Sequence, residues 1–508
     1  MSGPGEACAI LELIVFTSGG VLLALEIIAS RVLAPHFGTS IYVWGSLIGV
    51  FLGALSLGYY LGGNLADRWP SPAVFAGIVF LAGLLIFPIP LVGPRVLDAI
   101  VLRDLGPRAN PLVAATLLFF APSVVMGMVS PFAVRLRART VATVGNVAGV
   151  LYALSTLGSI VGTLLAAFIL IELAGVRAII HILGLTLVAL AAVGWLAARR
   201  FAAATVAALL VVLLAVAVVM AGPRRDRDGL IFERDTVYHK ITVVDEGRYR
   251  YMKLDNYWQS GLDQDTPLRS VFPYTEYMHA AFAFKPDARR VLVVGLGGGT
   301  LPQQFHAAYP DMQIDVVEID PAVIETARRF FKMPRSSRVL AVAQDGRLFI
   351  RRAQTRYDVI FLDAYLIDTI PFHLATYEFF EEARARLAPG GLVVSNIIGA
   401  LDGRSSRLFR AIYKTFTRVF ATVYVLPVEF GRFGDAEGTR NIILVGTTVP
   451  RLDRAARQDR VAAAAARFGW EVRRREAAVD VYEGLINTRD VPVLTDDYAP
   501  VDILIARR

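Results

Sequence analysis

Before residue 223 the chain is a succession of apolar stretches, each long enough to cross about 30 Å of hydrocarbon. They lie near 9–33, 41–66, 72–94, 111–134, 144–172, 176–198 and 201–222, and the pattern predicts seven membrane spans. The last, "FAAATVAALLVVLLAVAVVM", carries no charge. No other feature restricts the fold as strongly, because in lipid the backbone must satisfy its polar groups within helices. Glycines recur at helical spacing as Gly45, Gly49 and Gly53, then Gly58 and Gly62, then Gly158 and Gly162. Such spacing predicts close helix–helix contact. The N-terminus "MSGPGEACAI" has no basic segment before its apolar stretch, so no cleavable signal peptide is expected. Arginines fall almost equally on both flanks of the stretches, which leaves orientation open.

The chain has 508 residues, room for two or three domains, and a formal charge of +8. The basic residues are scattered or lie between apolar stretches, so the expected partner is a lipid bilayer and not a nucleic acid. Only Lys240, Lys253, Lys285, Lys332 and Lys414 are lysines among the 52 basic residues, a bias that points to a GC-rich bacterial genome. Cys8 is the single cysteine and the six histidines show no paired ligand spacing, so no disulfide within the chain and no metal are expected.

After Pro223 the character changes. A charged junction, "RRDRDG", leads into "DTVYHKITVVDEGRYRYMKLDN", which alternates apolar and polar residues about a turn at 245–247. This is the pattern of a β-hairpin. From 291 onward, "VLVVG", "IDVVEID", "RVLAVAQD", "YDVIFLDA" and "GLVVSNI" read as strands, with helical stretches such as "PAVIETARRFF" and "TYEFFEEARARL" among them. Apolar strands alternating with helices predict a doubly wound parallel sheet that binds its ligand at the strand C-termini. Residues 451–508 add a helix rich in alanine and arginine and end near "LTDDYAPVDIL".

The glycine loop in "VLVVGLGGGT" resembles a nucleotide loop, but a dinucleotide fingerprint starting at Gly295 needs a glycine where the chain has Thr300. Acids end the following strands: Glu318, then Asp345 before Gly346, then Asp363. A carboxylate at Glu318 can accept both ribose hydroxyls. Without a phosphate-gripping lysine or basic cluster, three convergent acids suit a nucleoside carrying positive charge, such as an adenosyl sulfonium.

The stretches "LDNYWQSGL", "YTEYMHA", "VLVVGLGGGTLP", "VVEIDPAVIETAR", "QDGRLFI" and "YDVIFLDAY" together resemble the spermidine synthase family of polyamine aminopropyltransferases. The membrane half, notably "LGYYLGGNLADR", is similar to the bacterial branch with an N-terminal multi-span region. The resemblance implies four parts: a membrane domain at 1–223, a small β-hairpin subdomain at 224–265, a Rossmann-like, methyltransferase-type domain at 266–450, and a C-terminal extension at 451–508 packed on it. It also implies transfer of an aminopropyl group from decarboxylated S-adenosylmethionine, as co-substrate and not as a resident cofactor, to putrescine or a related amine. By position, Gln259, Gly295, Gly297, Gly299, Glu318, Asp345, Gly346 and Pro371 would hold the donor, Asp363 would be the catalytic acid residue, and Tyr274, Glu276 and Asp368 would meet the amine. A homodimer is compatible with the family, and a donor made in the cytosol puts the soluble part on the cytoplasmic face of the inner membrane. With seven spans the N-terminus would then lie outside.

Three departures stand out: Gly298 and Leu366 replace family aspartates, and Thr275 replaces a histidine. They thin the acids expected to grip an amine, for which Glu276, Asp368 and Asp496–Asp497 are candidate substitutes. Two alternatives stay open. One is a methyltransferase using S-adenosylmethionine, although Val293 stands where such enzymes tend to have an acid. The other is a non-catalytic module that binds a nucleoside or polyamine and regulates the membrane helices.

Overall fold

A computed structural model describes residues 4–38, 40–106, 108–138, 140–221, 229–365 and 370–505. The chain divides into two compact units, Met1–Asp228 with Arg234–Lys240, and Gly229–Glu233 with Ile241–Arg508.

The first unit is helical. Cys8–Phe37, Ile41–Arg68, Ala109–Arg137, Val141–Leu170 and Val176–Ala197 are long and apolar enough to cross a membrane. The expected span at 72–94 is instead a pair, Pro72–Ile86 and Ile89–Arg103, bent by 51°. Pro88 and Pro90 sit at the break. Each removes an amide donor and disfavours helical geometry in the residue before it, so the helix is interrupted there. The seventh expected span lies on the helix Phe201–Ala221, in which Phe201–Val211 is an apolar stretch. Among the described residues, five helices meet that length and composition, or six with the bent pair taken as one.

Two of the three glycine sets do what their spacing predicts. A Cβ on Gly158 would lie 1.9 Å from the Phe16 carbonyl oxygen, and one on Gly162 would lie 2.1 Å from that of Gly20. The helices Pro4–Phe37 and Val141–Leu165 thus touch backbone to backbone, a packing that only small residues permit. Gly58 and Gly62 sit equally tightly on Val124 and Met128. Gly45, Gly49 and Gly53 meet nothing within 4 Å, so the expected packing is not made there among the described residues.

Four strands come next in the chain, β1 (Leu230–Asp235), β2 (Lys240–Glu246), β3 (Tyr249–Leu254) and β4 (Tyr257–Asp263), in sequential order in one sheet, with β2, β3 and β4 pairing antiparallel. The expected hairpin is β2–β3, turning just after Glu246. A second turn follows at Asp255 and Asn256, both with positive φ (50° and 71°). Two central residues of that kind match the right-handed strand twist and tie β3 to β4.

Seven more strands form one sheet: β5 (Arg290–Val294), β6 (Gln313–Glu318), β7 (Val339–Ala343), β8 (Tyr357–Leu362), β9 (Leu387–Gly399), β10 (Thr422–Pro427) and β11 (Arg440–Thr447). Their order is β10-β11-β9-β8-β5-β6-β7. β5 through β9 pair in parallel, as expected, but β11 and β10 add an antiparallel edge that the strand–helix alternation did not reveal. Alternate residues enter opposite cores: Val291, Val293, Val359 and Phe361 on one face, Leu292, Val294, Ile360 and Leu362 on the other. Burial on both faces is why these strands read as unbroken apolar runs. Val294 lies beside Val317 and Leu362, so β5, β6 and β8 end level with one another.

Candidate active site

The strand ends build one cleft. After β5 the chain turns through Gly295, Gly297 and Gly299, with φ of 92°, 52° and 79°. A Cβ on Gly295 would lie 2.4 Å from the Asp363 carbonyl oxygen, so the loop lies on the chain leaving β8. Both the left-handed conformation and the lack of space demand glycine here. Gly299 is followed by the helix Thr300–Ala308, with Thr300 in its first turn and not in a dinucleotide position.

β4 reaches the same loop. Ser260 Oγ accepts from the Gly298 amide at 2.7 Å. A Cβ on Gly298 would approach Ser260 Cβ to 2.9 Å and the Phe331 ring to 3.0 Å. The site is therefore closed to an aspartate unless its walls shift. Ser260, which sequence reasoning passed over, fills the space beside the loop. Gln259 lies next to it on β4 and lines the cavity described below.

Glu318 ends β6 almost fully buried. Its two oxygens accept from the Leu296 and Asp320 amides, each at 3.0 Å. Backbone donors hold the carboxylate still at the end of β6. Asp345 Oδ1 accepts from the Leu348 amide at 2.8 Å and caps the helix Gly346–Arg352. Its Oδ2 lies 3.1 Å from His373 Nε2. A Cβ on Gly346 would lie 2.5 Å from Val294 Cγ1, so the cap packs directly on β5. Pro371 opens the short turn Phe372–Leu374 that carries His373.

Arg347, beside that cap, is buried and forms two-pronged pairs with Glu382 (2.9 and 2.8 Å) and Asp496 (both 2.7 Å). It also donates to the His373 carbonyl at 3.1 Å. Asp496 is thereby committed to Arg347 and does not replace a missing amine-binding acid. Glu276 is corrected in the same way. It pairs with Arg474 Nε at 2.6 Å and is absent from the cavity lining. Asp368 and Leu366 lie outside the described residues.

Asp363, at the end of β8, faces a cavity of about 230 Å³ lined by Trp258, Gln259, Phe272, Tyr274, Tyr365, Asn396, Ile398 and Asn441, among others. Its Oδ2 accepts from Tyr274 at 2.9 Å and its Oδ1 from Asn396 Nδ2 at 2.9 Å. Burial pushes the Asp363 carboxyl up from its ordinary 3.8 to about 6, against the two hydrogen bonds, which favour the carboxylate. Tyr274 and Tyr365 are pushed well above 10, first by burial and then by the Asp363 charge. Behind them, Asn441 Nδ2 donates to Asn396 Oδ1 at 3.0 Å, and Tyr365 donates to the Asn396 carbonyl at 2.8 Å. Asn396 and Asn441 escaped the sequence reading. Their only signal is a polar residue inside an apolar strand, and their meeting depends on the antiparallel β9–β11 pairing. No cluster of histidine, cysteine and acids able to hold a metal occurs among the described residues.

The arrangement offers a held acid on β6, a capping acid after β7, and a partly neutralised carboxylate on β8 that can take a proton near pH 6. Residues 271–424 match the spermine/spermidine synthase domain. The chain is 28% identical over 284 residues to a polyamine aminopropyltransferase of Vibrio vulnificus, covering 54% of this chain and 91% of that protein. It is also 32% identical over 150 residues to the eEF1A lysine and N-terminal methyltransferase of Bos taurus, covering 27% of this chain and 21% of that protein. A probable spermidine synthase of Corynebacterium glutamicum superposes with a TM-score of 0.41 at 22% identity, covering 52% of this chain and 99% of that one.

Proposed function

The chain belongs, through residues 271–424, to the spermine/spermidine synthase family, and from that premise we propose that it is a membrane-seated aminopropyltransferase. Decarboxylated S-adenosylmethionine is the donor and an amine the acceptor. The carrying observation is Asp363, a carboxyl raised to about 6, level with the glycine loop and facing a cavity of its own.

Glu318 takes the ribose hydroxyls, Asp345 with Gly346 and Pro371 borders the adenine, and Gln259 with the loop of Gly295, Gly297 and Gly299 flanks the sulfonium. A neutral amine in the cavity attacks the methylene carbon next to the sulfonium. The nitrogen lone pair forms the new N–C bond, and the C–S bond breaks with its electrons going to sulfur, which leaves a neutral thioether. The extra proton on nitrogen passes to the Asp363 carboxylate and then to water. In-line placement of nitrogen and carbon supplies much of the remaining rate. Tyr274 and Asn396 keep the carboxylate aimed at the nitrogen.

The membrane part of the proposal is supported by the helices themselves. The 25-residue helix Val141–Leu165 buries only Leu151 and Gly158, while Leu157, Ile160 and Leu164 are exposed. An apolar surface of that extent calls for lipid. Because the donor is a cytosolic metabolite, the soluble unit belongs on the cytoplasmic side. A reporter fused at the C-terminus is then expected to be active only in its cytoplasmic form.

One observation favours a second reading. The closed space at Gly298 leaves no acid there to attract the amino end of a decarboxylated donor, and intact S-adenosylmethionine carries a carboxylate that such an acid would repel. That donor would make the protein a methyltransferase. The full chain in detergent, given either donor with a panel of amines and read by product mass, separates the two. An adduct of one aminopropyl unit supports the proposal; methyl adducts alone replace it.

A further inference from the structure

Resting on that aminopropyl transfer, the geometry points to a monoamine acceptor: one ionisable nitrogen, delivered to Asp363, on a tail that is apolar or neutral. The sheet order fixes the two sides of the cleft. β5, β6 and β7 carry the glycine loop, Glu318 and Asp345, and β8 carries Asp363. What lies beyond Asp363 is therefore over β9 and β11. There the cavity wall is made by Asn396 and Ile398 on β9 and Asn441 on β11, with Ile398 and Asn441 directly paired across the ladder.

Among the described residues lining the cavity, Asp363 is the sole carboxylate. Two acids expected to meet an amine are engaged elsewhere, Glu276 with Arg474 and Asp496 with Arg347. Trp258 is taken as a cation site as well, because Lys253 Nζ sits 3.7 Å from the centre of its ring. A second ammonium would be desolvated against an isoleucine and an amide, with no counter-charge among the described residues, which is unfavourable. A methyl-ended or hydroxyl-ended tail meets no such cost. Asn441 already spends its Nδ2 on Asn396, and its Oδ1 remains suited to a neutral donor.

The test compares butylamine with 1,4-diaminobutane, which differ only in the second amino group. Each is given to the full chain with decarboxylated S-adenosylmethionine and read as kcat/KM for aminopropyl product. The expected result is a preference for butylamine of about tenfold or more, and an Ile398→Glu variant that reverses it by a similar factor by supplying the missing charge. A preference for the diamine in the unmodified protein overturns the inference while leaving aminopropyl transfer intact. If Asp368→Asn abolishes that preference, the second charge sits on that residue and the inference is equally overturned. Aminopropyl product from no amine at all means that the transferase reading itself has failed, and the monoamine with it.

Discussion

The two sides of the cleft are held in different ways. On the side proposed for the donor, carboxylates are fixed by the backbone: Glu318 by the Leu296 and Asp320 amides, Asp345 by the Leu348 amide. On the acceptor side, Asp363 is fixed by side chains, Tyr274 and Asn396, with Asn441 behind. Backbone donors persist through most substitutions, whereas a side-chain relay changes with a single residue. A fold that keeps one donor while varying its acceptor would divide its contacts in this way. The difference also appears in charge, since two acids, Glu318 and Asp345, stand on the one side and a single acid, Asp363, among amides and aromatics on the other.

The largest expected effect breaks the comparison at its centre. Asp363→Asn removes the proton acceptor, and turnover should fall about 10²–10⁴-fold, read as product per enzyme at saturating donor. Folding should survive. A carboxyl raised in the folded state binds its proton more tightly there than in the unfolded chain, so it costs stability as pH rises from about 4 through 6. Removing it should leave the melting temperature at pH 8 unchanged or higher. A marked loss of melting temperature would make Asp363 merely structural.

On the donor side, Glu318→Gln should raise donor KM by about tenfold or more, the worth of a lost charge-assisted hydrogen bond, while leaving acceptor KM alone. Equal effects on both substrates would erase the distinction between the two sides. The pH profile comes next. In the proposed mechanism only the Asp363 carboxylate accepts the proton, so kcat/KM should fall on the acid side with an apparent pKa of about 6. The smallest effect is Asn441→Ala, which loosens Asn396. Losing part of the hydrogen bonding that favours the carboxylate should move that acid limb to higher pH by about half a unit, with donor KM unchanged. A rise in donor KM would show that the relay serves both sides.

Strand-end acids and the glycine loop were legible in the sequence because each is local: a strand ends, and its next residue faces the cleft. The same holds for the five parallel strands, whose apolar runs report burial on both faces. What escaped depends on pairing between distant segments. Asn396 meets Asn441 only because β11 runs antiparallel to β9. Glu276 and Asp496 read as spare acids until Arg474 and Arg347 are seen beside them. In the helical unit, hydropathy located the apolar stretches but not the break at Pro88, and the spacing of Gly45, Gly49 and Gly53 predicted a contact that the described residues do not make.

The most direct test uses decarboxylated S-adenosylmethionine labelled in its aminopropyl carbons, mixed with the full chain and an amine under single-turnover conditions. The account predicts that the label moves into the amine, with one unlabelled thioether nucleoside formed per labelled product, and that Asp363→Asn stops both. Label retained on the nucleoside, or transfer undiminished in Asp363→Asn, would contradict it.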